Sequence, residues 1–186
     1  MNFSIVEKQE KDGRCGAMNS FAEDLKYSRE AEDQPFWKEI YYKAFPNLIS
    51  ITNSRSDGQV QRLGIDRTIV LKSGKAIYID EKVRRKNYND ILLEYIANDK
   101  SLAEGWVEKS LFCDYIAYAI IPRQMCYLLP VPQLQSVWTQ NKDSWIKKHG
   151  SIKAENKNYK TINCPVPVDV LFSKIGSSLK ISFGKD

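Results

Sequence analysis

Asp66, Asp80 and Lys82 are the residues of this chain whose types and spacing could do chemistry. Asp66 precedes one apolar run, while Asp80 and Lys82 close the next, where alternation along a strand puts their side chains on one face. Two carboxylates held close together repel each other, and a divalent cation between them relieves that repulsion. Hard oxygen ligands favour Mg²⁺ or Mn²⁺, and Mg²⁺ usually keeps several waters and takes further ligands from a substrate phosphate.

The elements that must position these residues are two short strands joined by a turn. Apolar runs at 69–71 and 76–79 flank a polar segment that contains Gly74. A two-residue turn would pair Asp66 with Glu81 and put the two aspartates on opposite faces. The site therefore requires an odd-length loop, such as three residues with glycine in the left-handed region, or a bulge. The alternative interpretation is a solvent-exposed hairpin whose ends carry charges.

These residues resemble the signature of the PD-(D/E)XK nuclease superfamily, which has an Asp at the start of one core strand and an acidic-x-Lys motif on the next. The matching segments are Gly64-Ile65-Asp66, with Ile65 where the family pattern has proline, and Asp80-Glu81-Lys82. Later phrases, including residues 90–95 and 114–118, look similar to phage- and prophage-encoded nuclease-like proteins of this superfamily. The resemblance implies an α/β fold with a single-domain, restriction-endonuclease-like core, in which helices flank a mixed β-sheet.

The resemblance also implies roles for individual residues. Asp66 and Asp80 are expected to hold the metal, and Lys82 to orient a water and stabilise charge on the phosphoryl group. A helix ahead of the core sheet often contributes a further acid in this superfamily. The apolar spacing predicts a helix over residues 35–45, in which Glu39 is the only carboxylate. The alternative is that Glu39 is a solvated helix charge.

Glu94 is a second additional candidate for the site. It is the single charge in the apolar run 91–96, which turn-forming residues bound on both sides and which is therefore predicted to be a buried strand. An ionised carboxylate inside such a strand is costly without a partner. That partner could be Lys82, an arginine or the metal.

Four polar residues near the motif are candidates for nucleic-acid contacts. Arg84, Arg85 and Lys86 follow the second strand and could track a phosphate backbone, although a solvated strand end is an equal alternative. Gln61 lies on the approach to the hairpin and could contact a phosphate or a base edge. For Gln61 the alternative is an ordinary surface residue.

The composition is that of a globular protein with one domain. We interpret residues 1–34 as a polar N-terminal segment and residues 35–186 as the nuclease-like domain. The net charge of +5 is compatible with a polyanionic partner. No apolar run is long enough to span a membrane and the N-terminus is unlike a secretion signal, so we expect a cytoplasmic protein. The resemblance to phage- and prophage-encoded proteins implies that the cell is bacterial or a phage-infected host. The four cysteines lie far apart in the sequence and there is one histidine, so a zinc site would have few candidate ligands.

The remaining sequence predicts further elements in chain order. Strands are predicted at 48–52, 111–121 and 125–129 and a helix over 133–147, and the basic stretch 153–160 is interpreted as a loop. The proline-containing tail predicts an extended edge segment that runs into a short helix.

The predicted function is a Mg²⁺- or Mn²⁺-dependent nuclease that hydrolyses phosphodiester bonds, with DNA as the favoured substrate. The alternative is a catalytically inactive module of the same fold that binds nucleic acid or a partner protein. The retained pair of acids with its lysine favours the enzyme. A homodimer remains open, since cutting both strands of a duplex needs two sites.

Overall fold

The computed structural model describes residues 34–54, 58–176 and 178–184, apart from the side chains of residues 61 and 62. The predicted N-terminal segment therefore lies outside the described residues, except for Gln34. The described helices are α1 (Pro35–Ala44), α2 (Gly58–Arg62), α3 (Val131–His149) and α4 (Val168–Ile175). The described strands are β1 (Leu48–Asn53), β2 (Arg67–Leu71), β3 (Ala76–Arg84), β4 (Asp90–Asn98), β5 (Ala103–Glu104), β6 (Tyr115–Ile120), β7 (Met125–Pro130), β8 (Ile152–Glu155), β9 (Lys160–Pro167) and β10 (Leu179–Ser182).

The two longest helices begin and end where the sequence supplies the signals. Helix α1 begins at Pro35, whose fixed φ suits a first helical turn, and it buries Trp37, Ile40 and Tyr41 at helical spacing. Helix α3 ends at His149, after a last turn that carries three basic residues, and is followed by Gly150 with a φ of 76°. None of the described helices is both long enough and apolar enough to cross a membrane.

The strands form two sheets. The larger has the order β1-β2-β3-β6-β7-β10 and is mixed, because β3 and β6 are parallel while the other neighbours are antiparallel. The chain between β3 and β6 builds β4 and β5 of the smaller sheet, whose order is β5-β4-β9-β8. The prediction of an α/β protein with a mixed sheet and helices is therefore confirmed.

Apolar side chains cover both faces of the larger sheet. One face, with Ile69, Ile77 and Ile79, packs against the buried side chains of α1. The other face packs against the smaller sheet and helices α3 and α4, with Trp138 at the centre of that layer. Side chains of β3 therefore point alternately towards α1 and towards the smaller sheet.

The β2–β3 hairpin has the odd-length loop that the site requires. Arg67 pairs with Ile79 and Val70 pairs with Ala76. Leu71 donates its N–H to the carbonyl oxygen of Lys75 (2.9 Å), which leaves a three-residue loop. That loop ends at Gly74 with a φ of 82°, in the left-handed region that glycine adopts readily. The ladder ends at the Arg67–Ile79 pair, and Asp66 stays beside it by donating its N–H to the Ile79 carbonyl oxygen (2.8 Å).

Two predicted boundaries are wrong, for identifiable reasons. The predicted strand over 111–121 begins only at Tyr115, because Asp114 instead accepts a hydrogen bond from the Tyr78 N–H (2.7 Å) and donates its own N–H to the Tyr78 carbonyl. The predicted loop over 153–160 contains most of β8 and the start of β9. Because β8 is an edge strand with exposed side chains, its composition looks like that of a loop.

The prolines of the tail fit the sheet in a different way from the one predicted. Strand β9 lies between β4 and β8, but β8 pairs only with residues 160–163. Pro165 and Pro167 therefore lie beyond the end of β8, where β9 has only β4 beside it. Their missing N–H groups cost no hydrogen bond there.

Candidate functional site

Asp66, Asp80 and Lys82 come together on the face of the hairpin that points towards the smaller sheet. Asp66 directly precedes β2, and its N–H donates to the Ile79 carbonyl oxygen (2.8 Å). Its Oδ2 accepts the backbone N–H of Glu81 at 2.8 Å. Lys82 Nζ donates to Oδ1 of Asp80 at 2.7 Å. Hairpin register and strand alternation thus bring the three predicted residues into one cluster.

The charged groups of the cluster interact strongly because most of their surface is buried. Burial raises the pKa of Asp80, and the Asp66 carboxyl group, in hydrogen-bonding contact, raises it further, against the opposing effect of Lys82. For Lys82, burial alone lowers the pKa, but the charges of the nearby carboxylates outweigh it and raise the pKa above its ordinary value. Lys82 is therefore an ammonium group at neutral pH.

Glu94 approaches the cluster from β4 of the smaller sheet. Burial raises its pKa, while the charges of Lys82 and Lys109 and a hydrogen bond from the Trp106 N–H lower it. Glu94 in turn contributes to the raised pKa of Lys82. Lys82 was among the partners predicted for Glu94, and the two charges do interact across the gap between the sheets.

A tight turn holds Glu94 in place. Val107 donates its N–H to the Glu94 carbonyl oxygen (3.1 Å), and Gly105 donates to the Tyr95 carbonyl oxygen (3.1 Å). A Cβ added to Gly105 would lie 2.2 Å from the Glu94 carbonyl oxygen. The turn can therefore approach β4 so closely only with glycine at position 105.

Cys113 and Lys109 belong to the surroundings of the cluster, and the sequence did not single them out as site residues. Burial raises the pKa of the Cys113 thiol to about 12, and the negative charge of Asp80 adds to this effect. The thiol is therefore neutral and acts as a small apolar wall. Lys109 reaches the site through the turn after β5, a placement that depends on long-range packing and leaves no local sequence signal.

A buried ionic network lies beneath the cluster, on the α1 face of the hairpin. Glu81 Oε1 accepts hydrogen bonds from the Tyr41 hydroxyl (2.6 Å) and from Arg67 Nε (3.0 Å). The Glu81 side chain is fully buried, and that of Arg67 is 10% exposed. In the sequence, Arg67 is next to Asp66, and Glu81 lies between Asp80 and Lys82. The network therefore stabilises the hairpin register from the α1 face of the sheet.

The structure does not bring Glu39 to the cluster. Glu39 is on α1, across the larger sheet from Asp80, and it accepts hydrogen bonds from Lys43 Nζ (2.6 Å) and the Gly184 N–H (3.0 Å). Those contacts lower the pKa of Glu39, the hydrogen bond from Lys43 most of all. Its observed role is to tie α1 to the chain end after β10.

The cations after β3 differ from one another. Arg84 was predicted to contact a phosphate backbone, but its side chain is only 10% exposed and its Nη2 binds Asp90 Oδ1 at 2.8 Å. It also stacks over the Tyr88 ring, 5.2 Å from the centroid. Arg85 is half-buried and Lys86 is exposed. The side chain of Gln61 lies outside the described part of the chain.

Asp66 and Asp80 are the described carboxylates that could hold a divalent cation. Across residues 34–54, 58–176 and 178–184, no group of three or more His, Cys, Asp or Glu side chains is arranged to hold a metal. Two neighbouring carboxylates nevertheless fit Mg²⁺, which commonly takes one or two from the protein and completes its shell with water and phosphate oxygens. Burial first and the neighbouring Asp66 second raise the pKa of Asp80, and a bound cation would offset both effects.

Comparisons with known proteins found no match to this chain. No protein-family model matches it, and neither a curated protein nor a solved structure matches it.

Proposed function

We propose that this protein is a metal-dependent nuclease that hydrolyses phosphodiester bonds, with DNA as the favoured substrate. The observation that carries the proposal is the side-chain geometry where β2 begins beside β3. The Asp66 and Asp80 carboxyl groups are in hydrogen-bonding contact, and Lys82 Nζ donates to Asp80 Oδ1 at 2.7 Å. This is the combination of acids and lysine that characterises the PD-(D/E)XK superfamily. The mixed sheet with α1 ahead of it is compatible with the core that this resemblance implies.

In this proposal, some residues of the chain would bind the metal and others would orient the attacking water. Asp66 and Asp80 would hold Mg²⁺ or Mn²⁺, which when bound polarises the scissile phosphoryl group and lowers the pKa of a water. Lys82, as an ammonium group, would orient that water and stabilise the negative charge on the phosphoryl oxygens. Glu94 would keep Lys82 in position from the other sheet.

One observation favours a second candidate, an inactive module of this fold that binds nucleic acid or a protein. The 2.7 Å contact between Lys82 and Asp80 already neutralises one of the two acids. In such a module Lys82 would take the place of the cation, and the cluster would serve the stability of the fold.

Cleavage assays test the two candidates. Linear, circular single-stranded and supercoiled DNA would be incubated with the protein in Mg²⁺, Mn²⁺ or EDTA. The variants are Asp80→Asn and Lys82→Met, which change charge with little change in size. Asp143→Ala removes an exposed carboxylate on α3 and is the matched control. Circular dichroism would verify that all variants are folded.

The nuclease proposal expects metal-dependent cutting that both site variants abolish and the control retains. The opposite result is that the protein cuts no DNA in either metal. In addition, calorimetry would detect no binding of Mg²⁺ or Mn²⁺ that is lost in Asp80→Asn. That result would reject the enzyme in favour of the binding module.

A further inference from the structure

Three exposed apolar side chains come from segments that border the carboxylate cluster. They are Leu63 and Tyr78, each 39% exposed, and Phe112, 65% exposed. Leu63 lies three residues before Asp66, and Tyr78 lies two residues before Asp80. We call these three residues the apolar rim.

Backbone contacts show that the segments carrying the rim are adjacent. Phe112 donates its N–H to the Leu63 carbonyl oxygen at 3.1 Å. A Cβ added to the neighbouring Gly64 would lie 2.7 Å from the Leu111 side chain, so the two segments pack closely. Two residues after Phe112, Asp114 is hydrogen-bonded to the backbone of Tyr78 in both directions, at 2.7 Å each.

The rim also borders the cluster itself. Tyr78 and Asp80 point to the same face of β3, and two residues along a strand correspond to about 7 Å. Phe112 is followed by Cys113, whose thiol contacts the backbone N–H of Asp80. The segments that carry the three exposed side chains therefore adjoin the segments that carry the buried acids.

The charges around the cluster indicate which kind of ligand could bind at the acids and the apolar rim together. The local charged groups are Asp66, Asp80, Glu94, Lys82 and Lys109, which together carry a formal charge of −1. A divalent cation changes this to +1, which suits a phosphate. A ligand that puts a phosphate on the acids and a flat apolar group on the rim is a nucleotide whose base is unstacked.

We propose that the apolar rim binds an unpaired base, so that the protein acts on single-stranded or frayed nucleic acid rather than on intact duplex. This inference rests on the proposed nuclease function and specifies its substrate class. Bases inside a duplex are already stacked on each other, whereas a single strand leaves each face open to an aromatic side chain. Phe112 is the principal stacking residue, since it is the most exposed of the three.

Equilibrium binding in Ca²⁺, a divalent cation that also takes oxygen ligands, tests the inference, and gel electrophoresis verifies that the probe stays intact. The probes are a single-stranded DNA oligonucleotide containing a fluorescent adenine analogue, which stacking quenches, and a blunt duplex of the same sequence. The variants are Phe112→Ala and Phe112→Trp. Tyr42→Ala, which removes a 60% exposed aromatic side chain from α1 on the other side of the sheet, is the matched control.

The expected result is preferential single-strand binding with quenching. Phe112→Ala should weaken it by between about 5-fold and 150-fold, the usual range for one base–aromatic stack. Phe112→Trp and Tyr42→Ala should bind like the wild type. Equal binding of duplex and single strand, no binding of the single strand, or equal affinities for Phe112→Ala and Tyr42→Ala would overturn the inference. The nuclease proposal is decided separately by metal-dependent cleavage of any of the three DNA substrates and by its loss in Asp80→Asn.

Discussion

Removing the Glu81 carboxylate should be one of the most damaging single changes in this protein. Glu81→Ala leaves the Arg67 guanidinium without Glu81 as its partner and removes the acceptor of the Tyr41 hydroxyl, both in a buried layer. Loss of one partner of a buried ion pair typically costs about 3–5 kcal/mol. For a chain of this size each kcal/mol lowers Tm by about 2–4 °C, so the expected loss is roughly 6–20 °C.

Two further variants separate the charge from the packing. Tyr41→Phe removes only the hydroxyl, which is one hydrogen bond to a charged group and should cost about 1.5–3 kcal/mol. The double variant Arg67→Met/Glu81→Leu replaces both charges with apolar side chains and should recover most of the stability lost in Glu81→Ala.

Urea unfolding followed by tryptophan fluorescence measures these effects, because Trp37 is buried in the same layer. The reasoning fails if Glu81→Ala costs less than about 1 kcal/mol. It also fails if the double variant is no more stable than the single one, since the penalty would then not come from breaking the buried ion pair.

Three further predictions follow from local geometry. Gly105→Ala should destabilise the protein by about 1–3 kcal/mol, because the new Cβ meets the Glu94 carbonyl oxygen, whereas Gly58→Ala, with nothing within 4 Å, should be neutral in urea unfolding. Burial lowers the pKa of His149, so its contribution to stability is present above the ordinary histidine pKa of 6.5 and is lost as pH falls through the lower folded value. Urea midpoints between pH 5 and 8 should show this slope in the wild type and less of it in His149→Gln; parallel profiles would contradict it. Burial raises the pKa of Cys113 to about 12, so alkylation mapped by mass spectrometry should modify it only after unfolding, and labelling of the folded protein would show that it is accessible.

The local part of the candidate site was predictable from the sequence. The proximity of Asp66 to Asp80 depends on the loop that contains Gly74 and on the alternation of two short strands, and both are properties of adjacent residues. The predicted requirement for an odd-length loop is confirmed for this reason. The predicted strand around Glu94 is confirmed for the same kind of reason, because an apolar run between turn-forming residues carries its own signal, although only Ile91 and Leu93 of residues 91–96 are buried.

The long-range part was not predictable. Lys109 and Cys113 reach the cluster because the chain between β3 and β6 builds part of a second sheet, and no motif records that path. Arg84 looks like an exposed cation in the sequence, yet Asp90 pairs with it after a turn. Glu39 was the one carboxylate of its helix, but α1 packs so that Tyr41, rather than Glu39, reaches the hairpin at Glu81. Which side of a helix meets which strand is decided by the packing of the whole core.

The pairing of β4 with β9, which are far apart in the sequence, has a consequence for the order in which the site assembles. Asp66 and Asp80 belong to one hairpin and can meet as soon as residues 66–80 have been synthesised. Glu94, in contrast, lies on β4, which pairs with β9, where Glu94 is opposite Asn163. Long-range pairings form more slowly than hairpins because a larger loop must close. We therefore expect a nascent chain to carry the two acids together well before Glu94 is held against Lys82, so that the complete charge arrangement is among the last features to form.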